Sequence, residues 1–470
     1  MSWIDKLKPR FGAQRGLKPS GAGLNITPPA AEPPPRETAG STKRRPAQPA
    51  FPRFQFTAGD QLDPRQADRF ATVRMRLRSA YTPSQPITDR RMFAGRTEVL
   101  TTLIRAIEDQ RLHTVLYGER GIGKTSLLHV LTQAAREARY LVVYVSCGAG
   151  SNFDEMFRTV AGAIPLLYHA DYGPTHADSE RGATMADLLP SEPVSVRVAS
   201  NMLAKITGTR VLVVLDEFDR CESAAFRRSI AELLKNLSDR SVRVQLVIAG
   251  VAANLAELVE HIPSIQRNVF ALQVPIMMAA EVRHLVNNGA ESCGLAFDDA
   301  AARFVVSVAN GLPYLASLLS HHAGLIALDD GRVTVTVEDV SAAIAEALGE
   351  LRGRISKKSQ VQIANSVNDQ SQRFLGILAG AAQAAGGQFN LDDISALCQG
   401  EDVARCKALV EHLADSGLLI EADEDEFGPC YRFMEESVPS YLTLLSAQSR
   451  FFEAKTAAKP APTPRAAAEG

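Results

Sequence analysis

A layered α/β fold around a parallel sheet is predicted for this 470-residue chain. A helical region and then a small helix-and-hairpin module are expected to follow the sheet. Three observations predict this. Apolar runs at 113–117, 141–145, 211–215, 244–249 and 269–274 recur with helix-like segments between them, as buried parallel strands and their crossover helices do. The first run is followed by Gly118-Glu119-Arg120-Gly121-Ile122-Gly123-Lys124-Thr125, which fits G-x-x-x-x-G-K-[ST] and leads into a helix-like segment. The run 211–215 is unbroken and ends in Asp216-Glu217-Phe218-Asp219.

Each element of that loop has a chemical reason. Glycines let successive backbone N–H groups converge on an anion, and the helix behind turns its positive end toward it. Gly118, Glu119, Arg120, Gly121, Ile122, Gly123, Lys124, Thr125 and Ser126 are therefore the expected phosphate-binding residues. Lys124 would reach the β- and γ-phosphates and the Thr125 hydroxyl would ligate Mg²⁺. A carboxylate at the C-terminal end of a buried parallel strand stands beside such a loop. Asp216 is thus expected in the Mg²⁺ shell, and Glu217 beside the attacking water, which it would orient or deprotonate. The chain is expected to bind a nucleoside triphosphate and, with these groups, to hydrolyse it.

Composition bounds the alternatives. A length of 470 residues suits two or three domains, and 46% hydrophobic with 22% charged residues suits packed cores. The net charge of −2 predicts no polyanion partner by itself. Six cysteines are scattered without a C-x-x-C pair, so neither a disulfide framework nor a zinc site is expected, and a reducing cytoplasm is the simplest setting. No apolar run approaches the ~20 residues of a membrane span. The N-terminus has no apolar core of a secretion signal.

Along the chain, residues 1–58 are Pro-, Gly- and Ala-rich and carry ten Lys or Arg against three acids, a net of +7. A disordered basic tail is expected there. Residues 59–90 are expected as a helical linker, with a helix over 64–80 bearing Arg69, Arg74, Arg76 and Arg78 before the Pro-punctuated stretch 81–86 breaks it. The nucleotide domain is expected over 91–275, with a helix at 153–167 and a loop or insertion at 169–190. A helical lid over 276–350 follows, interrupted at Gly311-Leu312-Pro313-Tyr314. Residues 360–446 read as helix, short helix, helix, strand, acidic turn, strand and a terminal helix over 437–445, the order of a winged helix; 447–470 is expected as a second disordered tail.

Phe93-Ala94-Gly95-Arg96-Thr97-Glu98, the loop with Gly-Ile-Gly-Lys-Thr-Ser-Leu-Leu, and Leu215-Asp216-Glu217 together resemble the origin-recognition-complex-like AAA ATPase domain, whose relatives include the STAND ATPases. The resemblance covers about residues 90–350. It implies ATP bound between the sheet domain and the lid, with Phe93, Gly95 and Arg96 near the adenine. Gly311-Leu312-Pro313 resembles the Gly-x-Pro lid motif of STAND ATPases, which puts Pro313 near the nucleotide. The chain departs from the initiator-like pattern in offering no arginine there, which favours a nucleotide-held switch over a fast motor. Asn254 is the candidate for the polar residue after the fourth strand. Arg267, just before the fifth, takes the place of an arginine finger that reaches a neighbouring subunit's γ-phosphate and makes activity depend on assembly.

The expected winged helix is acidic. Residues 371–445 hold four Lys or Arg against thirteen Asp or Glu, a net of −9, and the wing reads Glu421-Ala422-Asp423-Glu424-Asp425-Glu426. DNA affinity rests largely on cationic phosphate contacts, so direct DNA reading by this module is not favoured. A homo-oligomer contact or a protein client is expected instead. The favoured reading is an ATP-dependent conformational or assembly switch. A nucleic-acid-associated ATPase that uses the basic N-terminal region stays open beside it, as does a scaffold that holds ATP without turnover.

Overall fold

A computed structural model describes residues 70–457, apart from 88–89, 173–175, 241, 253–254, 259–267, 367–370, 399 and 423–427. Asn254, Arg267, most of the acidic wing and both expected tails beyond these limits lie outside the described residues. Of the helix expected over 64–80, the described part is α1 (Ala71–Ala80).

After α1 come α2 (Thr97–Glu108), β1 (His113–Tyr117), α3 (Lys124–Glu137), β2 (Leu141–Ser146), α4 (Phe153–Gly162), α5 (Ala177–Glu180) and α6 (Val196–Leu203). The chain continues through β3 (Val211–Asp216), α7 (Ala224–Asp239), β4 (Val244–Gly250), α8 (Leu255–Leu258) and β5 (Val269–Gln273). The five strands form one parallel sheet in the order β2-β3-β4-β1-β5. Every residue of β3 and β4 is buried, which is why those runs carry no polar alternation. Val211, Val213 and Leu215 face a core shared with α4, α6 and α7, while Leu212 and Val214 face the core of α2, α3 and the helices that follow the sheet. Strand β1 is thus flanked on both sides, with β3 two strands away. At about 4.8 Å per strand, the loop after β1 and the carboxylates after β3 are separated by roughly 10 Å, room for a phosphate group and a cation.

His113 opens β1 fully inside. Its Nδ1 accepts the Leu246 N–H at 2.9 Å, which only a neutral ring can do, and burial drives its pKa down to about 4. The unfolded chain therefore binds a proton between about pH 6.5 and 4 that the folded chain refuses, so stability is lost as pH falls through that window. Urea unfolding should show about 2 kcal/mol less stability at pH 5 than at pH 8 from this residue. His113→Gln, which keeps an acceptor, should remove that part of the slope.

The helix expected over 153–167 stops at Gly162, because Pro165 has no N–H to continue it; Leu166–Tyr168 form a separate turn. The polar stretch after it is an ordered insertion: α5 and the turn Met185–Leu188 pair back through a Pro165–Thr184 bridge and bury Met185.

Beyond the sheet, α9 (Ala279–Cys293), β6 (Ala296–Phe297), α10 (Asp299–Ala309), α11 (Pro313–Asp329), β7 (Thr334–Val335) and α12 (Val337–Arg352) make a helical layer over one sheet face. Then follow α13 (Lys357–Ser366), α14 (Ser371–Ala384), β8 (Gln388–Phe389), α15 (Leu391–Leu397), α16 (Glu401–Ser416), β9 (Leu419–Glu421), β10 (Tyr431–Phe433) and α17 (Val438–Ala457). The three short strands form an antiparallel sheet, β8-β10-β9, closing a third core with α14, α15 and α16. The helices and the two later strands after Ser371 follow the order expected from the sequence, while β8, between α14 and α15, is not among the expected elements; most of the acidic turn falls on residues outside those described. Helix α17 runs twelve residues past the expected end at 445, because Leu444 and Ala447 pack into the helical layer and Phe451 stacks on Phe304. Among the described residues no helix is long and apolar enough to cross a membrane.

Candidate functional site

The loop between β1 and α3 lines a cleft of about 350 Å³ whose other walls come from the ends of β3 and β4, from α11 and from the strap 82–87. Gly118, Gly121 and Gly123 have φ of +140°, +78° and +94°, so side-chain-bearing residues would be strained at all three. A Cβ on Gly121 would stand 3.1 Å from Tyr314 Cβ, and one on Gly123 would stand 3.1 Å from an Arg96 nitrogen. The first amides of α3 are left without intrahelical partners at this cleft.

Lys124 is buried, and its Nζ donates to the carbonyls of Gly118 at 2.7 Å and Glu119 at 2.8 Å. Burial lowers its pKa to about 8 against the pull of Asp219, Asp216, Glu436 and Glu119. Burial likewise pushes the Glu119 carboxyl up to about 8, with Lys124 opposing it. Thr125 lines the same cleft, and Ser126 Oγ accepts the Ile87 N–H at 3.1 Å, fastening the strap to the start of α3.

Asp216 ends β3, buried. Tyr144 Oη donates to its Oδ2 at 2.5 Å and the Glu217 N–H to its Oδ1 at 2.8 Å. Burial and the neighbouring Asp216 push the Tyr144 phenol far above its usual range, so it stays a donor. Glu217 takes the left-handed conformation, φ 55°, and its carboxylate meets Ser146 Oγ at 3.2 Å and Arg220 Nη1 at 3.0 Å. Asp219, to which the sequence alone assigns no role, also lines the cleft; its Oδ1 accepts the Val251 N–H at 2.8 Å. Asp219 thus places a carboxylate from the β3 side beside the end of β4. Gly250 makes room for it, since a Cβ there would come within 2.9 Å of Asp219 Oδ1.

Phe93 lines the cleft, whereas Gly95 packs on Glu281 and does not line it. Arg96 also reaches the cleft, with both terminal nitrogens on backbone: Nη1 donates to Ile122 O of the phosphate loop and Nη2 to Pro275 O at 2.7 Å, while Nε is buried without a partner. Its own N–H bonds Glu281 at 2.6 Å, and burial lowers its pKa to about 10 against the pull of Glu281. Arg96 therefore braces the loop, the exit of β5 and α9 together. Pro313 begins α11 and lines the cleft with Tyr314. Gly311 before it has φ +77° and a Cβ there would strike Met277 O at 2.7 Å.

The donor set fits nucleotide and metal. Loop amides and a buried ammonium suit phosphate, and the Thr125 hydroxyl and Asp216 carboxylate are hard oxygen ligands on one cleft. Among the described residues no group of three or more His, Cys, Asp or Glu could hold a metal alone.

A parallel sheet with this strand order, a glycine cradle closed by a buried lysine and a carboxylate pair two strands away define a P-loop NTPase with a helical lid, of the AAA and STAND kind. The chain belongs to the Novel STAND NTPase 1 family, whose model matches residues 85–436. Among solved structures, Cdc6p from Pyrobaculum aerophilum is similar over 80% of this chain and 98% of that one, at 13% identity and a TM-score of 0.42. ORC2 from Aeropyrum pernix, solved as ADPNP–ADP complexes, is similar over 81% and 98%, at 17% and 0.41. The Thermotoga maritima RuvB Holliday junction branch migration motor is similar over 75% and 96%, at 15% and 0.37. Likeness this distant says nothing of what the present chain binds. No curated protein matches it.

Proposed function

We propose that this protein is a Mg²⁺-dependent ATPase whose nucleotide state controls how the C-terminal module is held on the phosphate loop, and through it conformation or assembly. The observation that carries this reading is the contact between the two. Arg120, which lines the cleft at the rim of the loop, pairs with Glu436 at 2.7 Å. A Cβ on Gly387 would stand 3.5 Å from Glu119 Oε1. The adjacent Glu435 accepts the Ser356 N–H at 2.9 Å and the Ser356 and Ser359 hydroxyls at 2.5 Å each. The residues that would meet phosphate and the residue that meets this module thus belong to one loop and one cleft. To reach a phosphate, Lys124 must give up the Gly118 and Glu119 carbonyls, and that shift bears directly on the contact with the module.

In this reading Lys124 and the loop amides hold the phosphates, Thr125 and Asp216 the metal, and Pro313 and Tyr314 close the cleft. Bound Mg²⁺ would supply charge neutralisation of the β- and γ-phosphates. Glu217 orients the attacking water and takes its proton, with Arg220 and Ser146 fixing the carboxylate. Arg267 would act on a neighbouring subunit's nucleotide. Within the acidic module Arg373 pairs with Asp402 at 3.0 Å and Arg405 lies 4.0 Å from Glu401, so two of its four cations face its own acids. That supports a protein contact over DNA.

ATP hydrolysis measured against protein concentration, with mass determined in parallel, tests the reading. A specific rate that rises as ATP-bound oligomers form supports an assembly-gated switch. Turnover and mass that never change with nucleotide would sink it. The Arg120–Glu436 pair is half exposed, with side chains 61% and 46% accessible, so it is worth roughly 0.2–1 kcal/mol. Arg120→Glu and Glu436→Arg should each speed ADP release up to about fivefold, and the double swap should restore it.

A further inference from the structure

A second cleft, of about 1090 Å³, shares the strap 82–87 with the nucleotide cleft. Its charged walls are Arg76 and Arg78 of α1, His321 and His322 of α11 and Glu350 of α12. α1 is firmly seated. Buried Tyr81 donates to Val286 O in α9, and a Cβ on Gly289 would lie 2.3 Å from the Tyr81 ring. Glu350, the one acid among the described residues of the wall, is already compensated: it takes a charge-assisted bond from Arg354 and lies 3.4 Å from His322 Nε2. Arg76 pairs with no carboxylate among the described residues, and His321 Nδ1 is buried without a hydrogen-bond partner. The cleft is therefore a cationic one. Met75, Met92 and Leu318 give it an apolar wall as well. Its volume lies just above the roughly 300–1,000 Å³ of small-molecule sites. The Arg76 guanidinium, with that of Arg78 two residues along α1 and an apolar wall at this size, matches a phosphate-bearing molecule of nucleotide to dinucleotide size.

A continuous path leads from this cleft to the phosphate loop. His322 faces Glu350, Glu350 accepts from Arg354, and Arg354 donates to Tyr314 Oη at 2.8 Å. Tyr314 in turn packs on Gly121, with 3.1 Å between its Cβ and the place a Cβ would take there. The strap gives a second link, through the bond from Ile87 to Ser126.

We propose that this second cleft is an effector site for a small phosphorylated ligand, read out at the phosphate loop through His322, Glu350, Arg354 and Tyr314. A ligand phosphate beside His322 competes with Glu350 for the imidazole, and the freed carboxylate strengthens its hold on Arg354 at the expense of Tyr314. Binding in the cleft stands apart from the ATPase reading; the coupling rests on it.

Calorimetric titration of the full chain with inorganic tripolyphosphate tests the site. Wild type should show two classes of site. Lys124→Ala should lose one, Arg76→Glu with Arg78→Glu should lose the other by about tenfold or more, and the triple variant should lose both. His322→Gln, a milder change, should weaken the second class alone. If all binding disappears with Lys124→Ala, the effector site is overturned and the nucleotide site stands. If all binding depends on Arg76 and Arg78, the nucleotide reading fails and the effector site stands. Filling the second site should change the release rate of a fluorescent ADP analogue by about threefold or more, and Arg354→Gln should abolish that change while leaving tripolyphosphate bound. A release rate indifferent to the second site overturns the coupling.

Discussion

Lys124→Ala is expected to weaken ATP binding by about 30-fold to 1,000-fold. Two charge-assisted hydrogen bonds to phosphate oxygens are worth about 1.5–3 kcal/mol each, and part of that is returned because Lys124 must leave the Gly118 and Glu119 carbonyls. The substitution also removes a buried cation that faces Asp219, Asp216, Glu436 and Glu119. An uncompensated group of carboxylates would repel triphosphate, so the loss should exceed that of Lys124→Arg, which keeps the charge. Equilibrium binding of a fluorescent ATP analogue measures it. Affinity within about threefold of wild type would mean that the loop does not hold the nucleotide by this residue.

Glu217→Gln is expected to lower the hydrolysis rate by about 10²- to 10⁴-fold while ADP affinity stays near wild type. The amide keeps the side-chain shape but takes up no proton, and it gives up the ion pair with Arg220 at 3.0 Å that orients it. Single-turnover hydrolysis separates this from slow product release. An unchanged rate would favour the alternative of a scaffold that holds ATP without turnover. A matching loss of ADP affinity would place Glu217 in binding, with Asp216, and not in the chemical step.

Much of the nucleotide site is legible in the order of residues alone. Gly118, Gly121 and Gly123 announce a loop that needs positive φ, and Lys124 and Thr125 follow at fixed spacing because the first turn of the helix presents both to one cleft. Asp216 and Glu217 are legible for another local reason: an unbroken apolar run marks a strand buried on both faces, and its end must be the sheet edge where polar groups return. Arg96 shows the limit. Its place in a recognisable run points to the cleft, yet its guanidinium is committed to Ile122 and Pro275, partners 26 and 179 residues away. Asp219 belongs to the same carboxylate run as Asp216, but nothing local gives it a role, because its partner is the backbone at the end of a different strand. The polarity of the insertion after α4 suggests a loop; a few apolar residues such as Met185 suffice to order it once they meet α4.

By itself, then, the sequence determined the parallel sheet, the phosphate loop and its carboxylates, because periodicity, glycine placement and strand-end chemistry all act within a few residues. Tertiary structure alone decided which residues of the loop meet the lid and which meet the C-terminal module. It paired Arg120 with Glu436, seated Tyr81 against Gly289, and brought Arg76, Arg78, His321 and His322 around one cleft. The physical reason is that these contacts join side chains tens to hundreds of residues apart, whose meeting depends on the packing of whole layers and leaves no local pattern in the chain.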